Sequence, residues 1–121
     1  MKVARVNTMA ALESFKQNSK LLALLDSDGI TALAGVATAF MVNPGIVIVR
    51  QRAKSDSFFL IAKGGVRIFV DADGQQKEVA RLGPGNFFGE MGVFTGEPRS
   101  ATVMSIGKSV LFVFSVSGFH K

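Results

Sequence analysis

Gly83-Pro-Gly-Asn-Phe-Phe-Gly-Glu-Met-Gly-Val-Phe-Thr-Gly-Glu-Pro-Arg-Ser-Ala-Thr102 is the stretch on which the reading of this chain turns. Five glycines in twenty residues would weaken any strand or helix running through it. The sequence around it is strand-like, so the segment interrupts a β framework and must do something else. Phe88-Gly89-Glu90-Met91 is expected to open a single helical turn whose first backbone N–H groups have no acceptor within the helix. Converging N–H groups hold anions where no Cβ blocks the approach. Nine residues after Glu90, Arg99 brings a permanent cation with a planar fork that fits two phosphate oxygens. Ser100 and Thr102 add hydroxyl donors. Glu90 would avoid a phosphate, but a carboxylate accepts a hydrogen bond from a sugar hydroxyl. Together these parts suit a ligand that joins a phosphate to a ribose. The ligand-free alternative is a plain Glu90–Arg99 salt bridge across a turn.

Outward from this stretch the chain alternates short apolar, β-branched runs with turn residues. The runs are Ile46-Val-Ile-Val49, Phe58-Phe-Leu-Ile61, Val66-Arg-Ile-Phe-Val70, Ala101-Thr-Val-Met104 and Val110-Leu-Phe-Val-Phe114. Pro44-Gly45, Gly64-Gly65, Asp73-Gly74, Gly83-Pro84-Gly85 and Gly107 lie between or beside them. Asp73-Gly74 predicts a hairpin joining 66–70 to 77–82. Strands this short and regular predict a β-sandwich, jelly roll or small barrel. The N-terminal third reads differently. Met9, Leu12, Phe15, Leu21, Leu22, Leu24 and Leu25 recur at three- and four-residue spacing, with Glu13, Lys16, Gln17 and Lys20 between them, as on an amphipathic helix. Asp26-Ser27-Asp28-Gly29 breaks that pattern and caps a second short helix over about 30–36. The expectation is one domain over 1–121, helical at 8–36 and a β-roll at 37–114, without repeats or a flexible linker.

The composition agrees and excludes several classes of function. With 121 residues, 48% hydrophobic and 19% charged, the chain has the size and polarity of one small packed domain. Its thirteen glycines are scattered rather than periodic, which favours tight turns over collagen-like repetition. The absence of cysteine removes disulfides, thiolate catalysis and cysteine–zinc sites. A single histidine, His120, excludes a multi-histidine metal site within one chain and makes a hydrolase triad unsupported. A binding module, not an enzyme, is expected, with no metal and no cofactor beyond its ligand. The net charge is +5, and its basic residues are dispersed except for Arg50-Gln-Arg52-Ala-Lys54. Dispersed charge reads as a solvated surface, so no nucleic-acid partner is expected. The most apolar run, residues 30–42, is shorter than the ~20 residues a membrane-spanning helix needs. Glu13, Lys16 and Lys20 interrupt any signal-peptide core. A cytoplasmic chain without a membrane span is therefore expected. The five methionines are read as core filler, and Phe87 and Phe88 as core aromatics.

Phe88-Gly-Glu-Met-Gly-Val-Phe, followed by Pro98-Arg-Ser-Ala-Thr-Val103, resembles the phosphate-binding cassette of the cyclic nucleotide-binding domain family. Pro44-Gly45, Phe58-Phe-Leu-Ile61, Gly64-Gly-Val66 and Leu82-Gly-Pro-Gly85 resemble that family's order of turns and strands. The likeness covers most of residues 20–119. It implies a mainly β fold with N-terminal helices, a jelly-roll-like β-roll of about eight short antiparallel strands. It also implies that Glu90 binds the ribose 2′-hydroxyl and that Arg99 binds the exocyclic phosphate oxygens. Gly89, Glu90 and Ala101 would offer backbone N–H groups and Ser100 its hydroxyl, with Met91 and Thr102 completing the ligand-binding set. In the family, Thr after the arginine favours cyclic GMP and Ala or Ser permits cyclic AMP, so Ser100 tilts the expectation toward cyclic AMP.

Two departures stand out. The family has Gly and an acidic residue where this chain has Arg52-Ala53. The chain also reaches Lys121 where the family's C-terminal lid helices would begin, so the expected β-roll lacks its lid. A homo-oligomer or an effector protein would then supply the lid or the output. The alternative is a ligand-independent β-roll used for assembly or protein docking. Under the ligand-binding reading, Arg99→Ala is expected to remove binding while the apo fold survives.

Overall fold

A computed structural model of the chain describes residues 3–7 and 27–115. Helix α1 (Ser27–Val36) runs without a loop into strand β2 (Ala37–Val42), where Ala-Thr-Ala-Phe-Met-Val changes the period of the sequence from helix to strand. Before it lies β1 (Val3–Val6). After it come β3 (Val47–Val49), β4 (Ser57–Lys63), β5 (Val66–Ala72), β6 (Gln75–Leu82) and β7 (Phe87–Phe88). A second helix, α2 (Glu90–Thr95), precedes β8 (Thr102–Ser105) and β9 (Ser109–Ser115). The strands form two sheets, ordered β1-β2-β9-β4-β7 and β3-β8-β5-β6, and every pairing is antiparallel. The fold is the mainly β roll expected, with nine strands among the described residues.

Val42, Phe59, Ile61, Val66, Phe88, Val103 and Leu111 form the core cluster. The central strands β4 and β9 carry near-continuous apolar runs because both of their faces are buried. Ile61 opposite Leu111 fills one face, and Leu60 opposite Phe112 fills the other. Two buried serines fasten turns to this core. Ser105 Oγ accepts from the Ile46 N–H at 2.9 Å and donates to the Asn43 carbonyl at 2.6 Å. Ser109 Oγ accepts from the Gly65 N–H at 3.1 Å and donates to the Gly107 carbonyl at 2.9 Å. Satisfied in this way, neither hydroxyl carries the penalty of a buried unpaired polar group.

The Asp73-Gly74 hairpin is present, with φ of 54° and 76° at the two residues, the backbone of a type I′ turn. In β6 the register passes from Ile68 opposite Ala80 to Phe69 opposite Glu78, which leaves Val79 as the extra residue of a bulge, 55% exposed. Sequence patterning did not anticipate β1 or β7. Both are too short to show a period, and α1 starts three residues before the expected 30. The helix expected over residues 8–26, and the lid expected to be missing after the last strand, lie outside the described residues. Among the described residues no helix is long and apolar enough to cross a membrane, and no group of three or more metal-ligating side chains occurs.

Candidate functional site

The site is built where β7 ends. Phe88, buried and stacked on Phe59 with ring centroids 4.7 Å apart, pins the chain to β4. Gly89 follows in the left-handed region at φ 82° and turns the chain so that α2 starts at Glu90. This is the helical turn expected from the sequence. It closes at Gly96, φ 78°, whose N–H donates to the Gly92 carbonyl at 2.9 Å.

Arg99 lies beneath that turn and is 6% exposed. Its backbone is clamped first. The Arg99 N–H donates to the Ala53 carbonyl at 2.8 Å, and the Arg52 N–H donates to the Arg99 carbonyl at 2.7 Å. The guanidinium then reaches two further carbonyls. Nη2 donates to Ser57 O at 2.6 Å and Nη1 to Gly89 O at 3.1 Å, with the Phe59 ring 5.8 Å from Cζ. Asp56, largely exposed, is its ion-pair partner at 3.8 Å. Burial pushes the Arg99 pKa down from the ordinary arginine value and Asp56 pulls it back up. An arginine starts so high that the group stays a cation. Of its five donors, Nε–H and the second N–H of Nη1 have no acceptor among the described residues.

Above Arg99 opens a cavity of about 350 Å³, walled by Phe88, Gly89, Glu90, Met91, Gly92, Arg99 and Ser100, with Ile68 and Leu82 as an apolar side. Glu90 is one of its lining residues, and the Glu90 Oε2 is buried without a hydrogen-bond partner among the described residues. The Glu90–Arg99 salt bridge considered from the sequence is therefore not formed, and Arg99 turns to Asp56 and two carbonyls instead. A buried carboxylate oxygen without a donor is costly.

Five of the seven residues singled out from the sequence, Gly89, Glu90, Met91, Arg99 and Ser100, line the cavity, whereas Ala101 and Thr102 do not. Thr102 begins β8 opposite Phe69, and its Oγ1 accepts from the Gln51 N–H at 3.0 Å, so it steadies the 50–53 turn. Sequence reasoning missed Ser57 and Gly92. Ser57 acts through its carbonyl, which no side-chain pattern signals. A Cβ on Gly92 would collide with the Ser55 side chain and lie 3.0 Å from Glu97 O. Ser55 Oγ donates to that same carbonyl at 2.7 Å and holds the 55 and 97 loops together.

Two residues read as core are at the surface. Phe87 is 39% exposed because neighbours on a two-residue strand point to opposite faces and Phe88 takes the core side, and Met91 is 65% exposed on α2, none of whose residues is buried. Phe87 instead joins Phe58, Phe94 and Phe114 in an aromatic group, its ring 6.2 Å from that of Phe58.

Comparison with known proteins places this geometry. The family described as the cyclic nucleotide-binding domain matches residues 40–121. A cAMP-dependent protein kinase regulatory subunit from Eremothecium gossypii is 30% identical over 93% of the chain, which spans 24% of that relative. A cAMP-dependent protein kinase type II regulatory subunit from Drosophila melanogaster is 32% identical over 74% of the chain and 24% of its own length. The chain thus spans about a quarter of the length of the curated relatives it matches. Among solved structures, a cyclic nucleotide-binding domain from Methylobacillus flagellatus superposes with TM-score 0.81 at 18% identity, over 98% of this chain and 70% of its own. The catabolite activator protein of Thermus thermophilus superposes with TM-score 0.73 at 26% identity, over 84% and 48%. With its cassette, its roll and more than half of its length matched, the chain belongs to the cyclic nucleotide-binding domain family.

Proposed function

We propose that this chain is a regulatory module that binds a cyclic purine nucleotide, cyclic AMP in preference to cyclic GMP. The observation that carries the reading is a pair of opposite needs on two residues that line one cavity. Arg99 keeps unused donors for a phosphate, and Glu90 Oε2 is a buried acceptor without a donor, which a ribose hydroxyl would satisfy. A cyclic phosphodiester carries one negative charge, so one arginine neutralises it. The N–H groups of Gly89 and Glu90 would add to the cradle. Ile68 and Leu82 give an apolar wall for the base. Ser100, exposed at the cavity, stands where a threonine would favour cyclic GMP. The relatives named as regulatory subunits support an effector protein as the recipient of the signal.

The test is thermal unfolding with added nucleotide. A ligand that binds only the native state at ~100 times its dissociation constant stabilises by ~2.7 kcal/mol. For a domain of this size that raises Tm by on the order of 10 °C. Cyclic AMP is expected to give the larger rise and cyclic GMP a smaller one at equal concentration. No rise with either at millimolar concentration would count against the reading.

One observation favours a second reading, protein docking. Phe94, 75% exposed, has its ring 6.3 Å from that of Phe58, and Met91 on the same helix is 65% exposed, which leaves apolar surface that water solvates poorly. Self-association through this face would appear as a mass that grows with concentration in light scattering and returns to the monomer in Phe94→Gln.

A further inference from the structure

Among the described residues only Arg52 and Asp73 take positive φ without being glycine. Asp73 has a local reason, the type I′ turn it shares with Gly74. Arg52, at φ 74°, is the third residue of the turn that the Ala53 N–H closes on the Arg50 carbonyl at 3.1 Å, a position that favours glycine, and a long side chain is strained there. Strain kept at one position points to a use for the side chain that occupies it.

The surroundings indicate the use. The 50–53 turn is bonded to the backbone of Arg99 on both sides, which sets the turn beside a residue that lines the anion cavity. Arg50, Arg52 and Lys54 are all exposed, and the next residue, Ser55, lines the cavity. The cavity itself is poor in positive charge. Glu90 and Glu97 line it and Asp56 pairs with Arg99, which sets three carboxylates against one guanidinium. An anion drawn toward that group alone would be repelled at distances beyond contact with Arg99. Three cations on the adjoining turn reverse the sign of the field that an approaching ligand meets.

We propose that the 50–54 turn is the electrostatic lip of the pocket, and that Arg52 is kept in a strained backbone to set the association rate of an anionic ligand. The proposal rests on the ligand-binding reading above and goes beyond it, since none of the three cations is needed to hold the bound phosphate. Steering of this kind acts before contact, raises the on-rate, and is screened by salt.

Arg52→Gly tests it, because the variant removes the charge and relieves the backbone together. Association of a fluorescent cyclic AMP analogue would be followed by stopped flow at ~10 mM and ~1 M salt, where the Debye length falls from ~30 to ~3 Å. At low salt Arg52→Gly should associate about 2- to 3-fold more slowly than wild type, and the Arg50→Gln, Arg52→Gly, Lys54→Gln triple variant on the order of tenfold more slowly. Arg52→Lys should match wild type, all differences should vanish at high salt, and the Tm of Arg52→Gly should be unchanged or higher. Equal rates for Arg52→Gly and wild type at low salt would overturn the proposal, as would a deficit that persists at high salt. A wild-type protein that takes up neither cyclic AMP nor cyclic GMP would overturn the ligand reading, and this inference with it. Failure in the variant and failure in the wild type are therefore distinguishable.

Discussion

Arg99→Ala should lose nucleotide binding and much of the fold's stability together. The sequence alone separated the two, because an arginine beside a cavity reads as a ligand group and nothing more. In the structure its guanidinium is the donor for the Ser57 and Gly89 carbonyls and lies over the Phe59 ring, and the residue is buried. Leaving such acceptors unsatisfied costs ~1–3 kcal/mol each, and the vacated volume adds to that. A total of roughly 3–4 kcal/mol is a large share of the ~5–15 kcal/mol that holds a typical domain. Tm should fall by on the order of 15 °C, and added cyclic AMP should not restore it. Arg99→Lys separates the two roles. The point charge and a buried stem remain but the fork that reaches both carbonyls does not, so the variant should recover only part of the stability lost in Arg99→Ala while binding falls by roughly 100-fold. Urea unfolding with and without nucleotide measures both effects. A stable Arg99→Ala that still binds would show that the buried fork has neither role.

Gly89→Ala is expected to be nearly as damaging, for a reason that can be isolated. The left-handed backbone at φ 82° costs an alanine ~1–2 kcal/mol. Its Cβ would also lie 2.5 Å from Arg99 Nη1, and Arg99 is fixed by three neighbours and cannot move aside without losing them. Overpacking of this kind adds ~1–3 kcal/mol. Gly96 provides the control. It has φ 78° and nothing within 4 Å of a new Cβ, so Gly96→Ala should show the backbone strain alone, about 1 kcal/mol. The difference in unfolding free energy between the two variants reports the collision with Arg99. Only Gly89→Ala should also weaken nucleotide binding, because only there is the fork displaced. Equal losses in stability would mean that the Gly89–Arg99 packing is not as described.

The two substitutions show which features were legible in the sequence. The roll was legible because its strands carry runs such as Phe58-Phe-Leu-Ile61, its turns carry glycine, and Asp73-Gly74 fixes one hairpin by backbone chemistry. The cassette was legible because glycines, a carboxylate and an arginine in one short stretch have few uses together. What escaped belongs to contacts distant in sequence or made by the main chain. Ser57 contributes a carbonyl from 42 residues away, and the 50–53 turn grips Arg99 through backbone groups. Neither leaves a side-chain signature. Thr102 reads as a ligand donor because its hydroxyl follows the cassette, whereas in the structure that hydroxyl accepts from the Gln51 N–H. Phe87 and Met91 read as core by hydrophobicity, and only the strand pairing shows which of Phe87 and Phe88 faces inward. Arg52 was visible as a departure, and its strained backbone now gives that departure a physical meaning.

Calorimetric titration with cyclic AMP and with 2′-deoxy cyclic AMP tests the central claim most directly. The two ligands differ only in the hydroxyl assigned to Glu90, whose Oε2 is buried and without a partner. A hydrogen bond to a charged group contributes ~1.5–3 kcal/mol, so the deoxy ligand should bind about 10- to 150-fold more weakly. In Glu90→Gln that gap should shrink. Equal affinity for the two ligands in the wild-type protein, or no heat with either, would contradict the account.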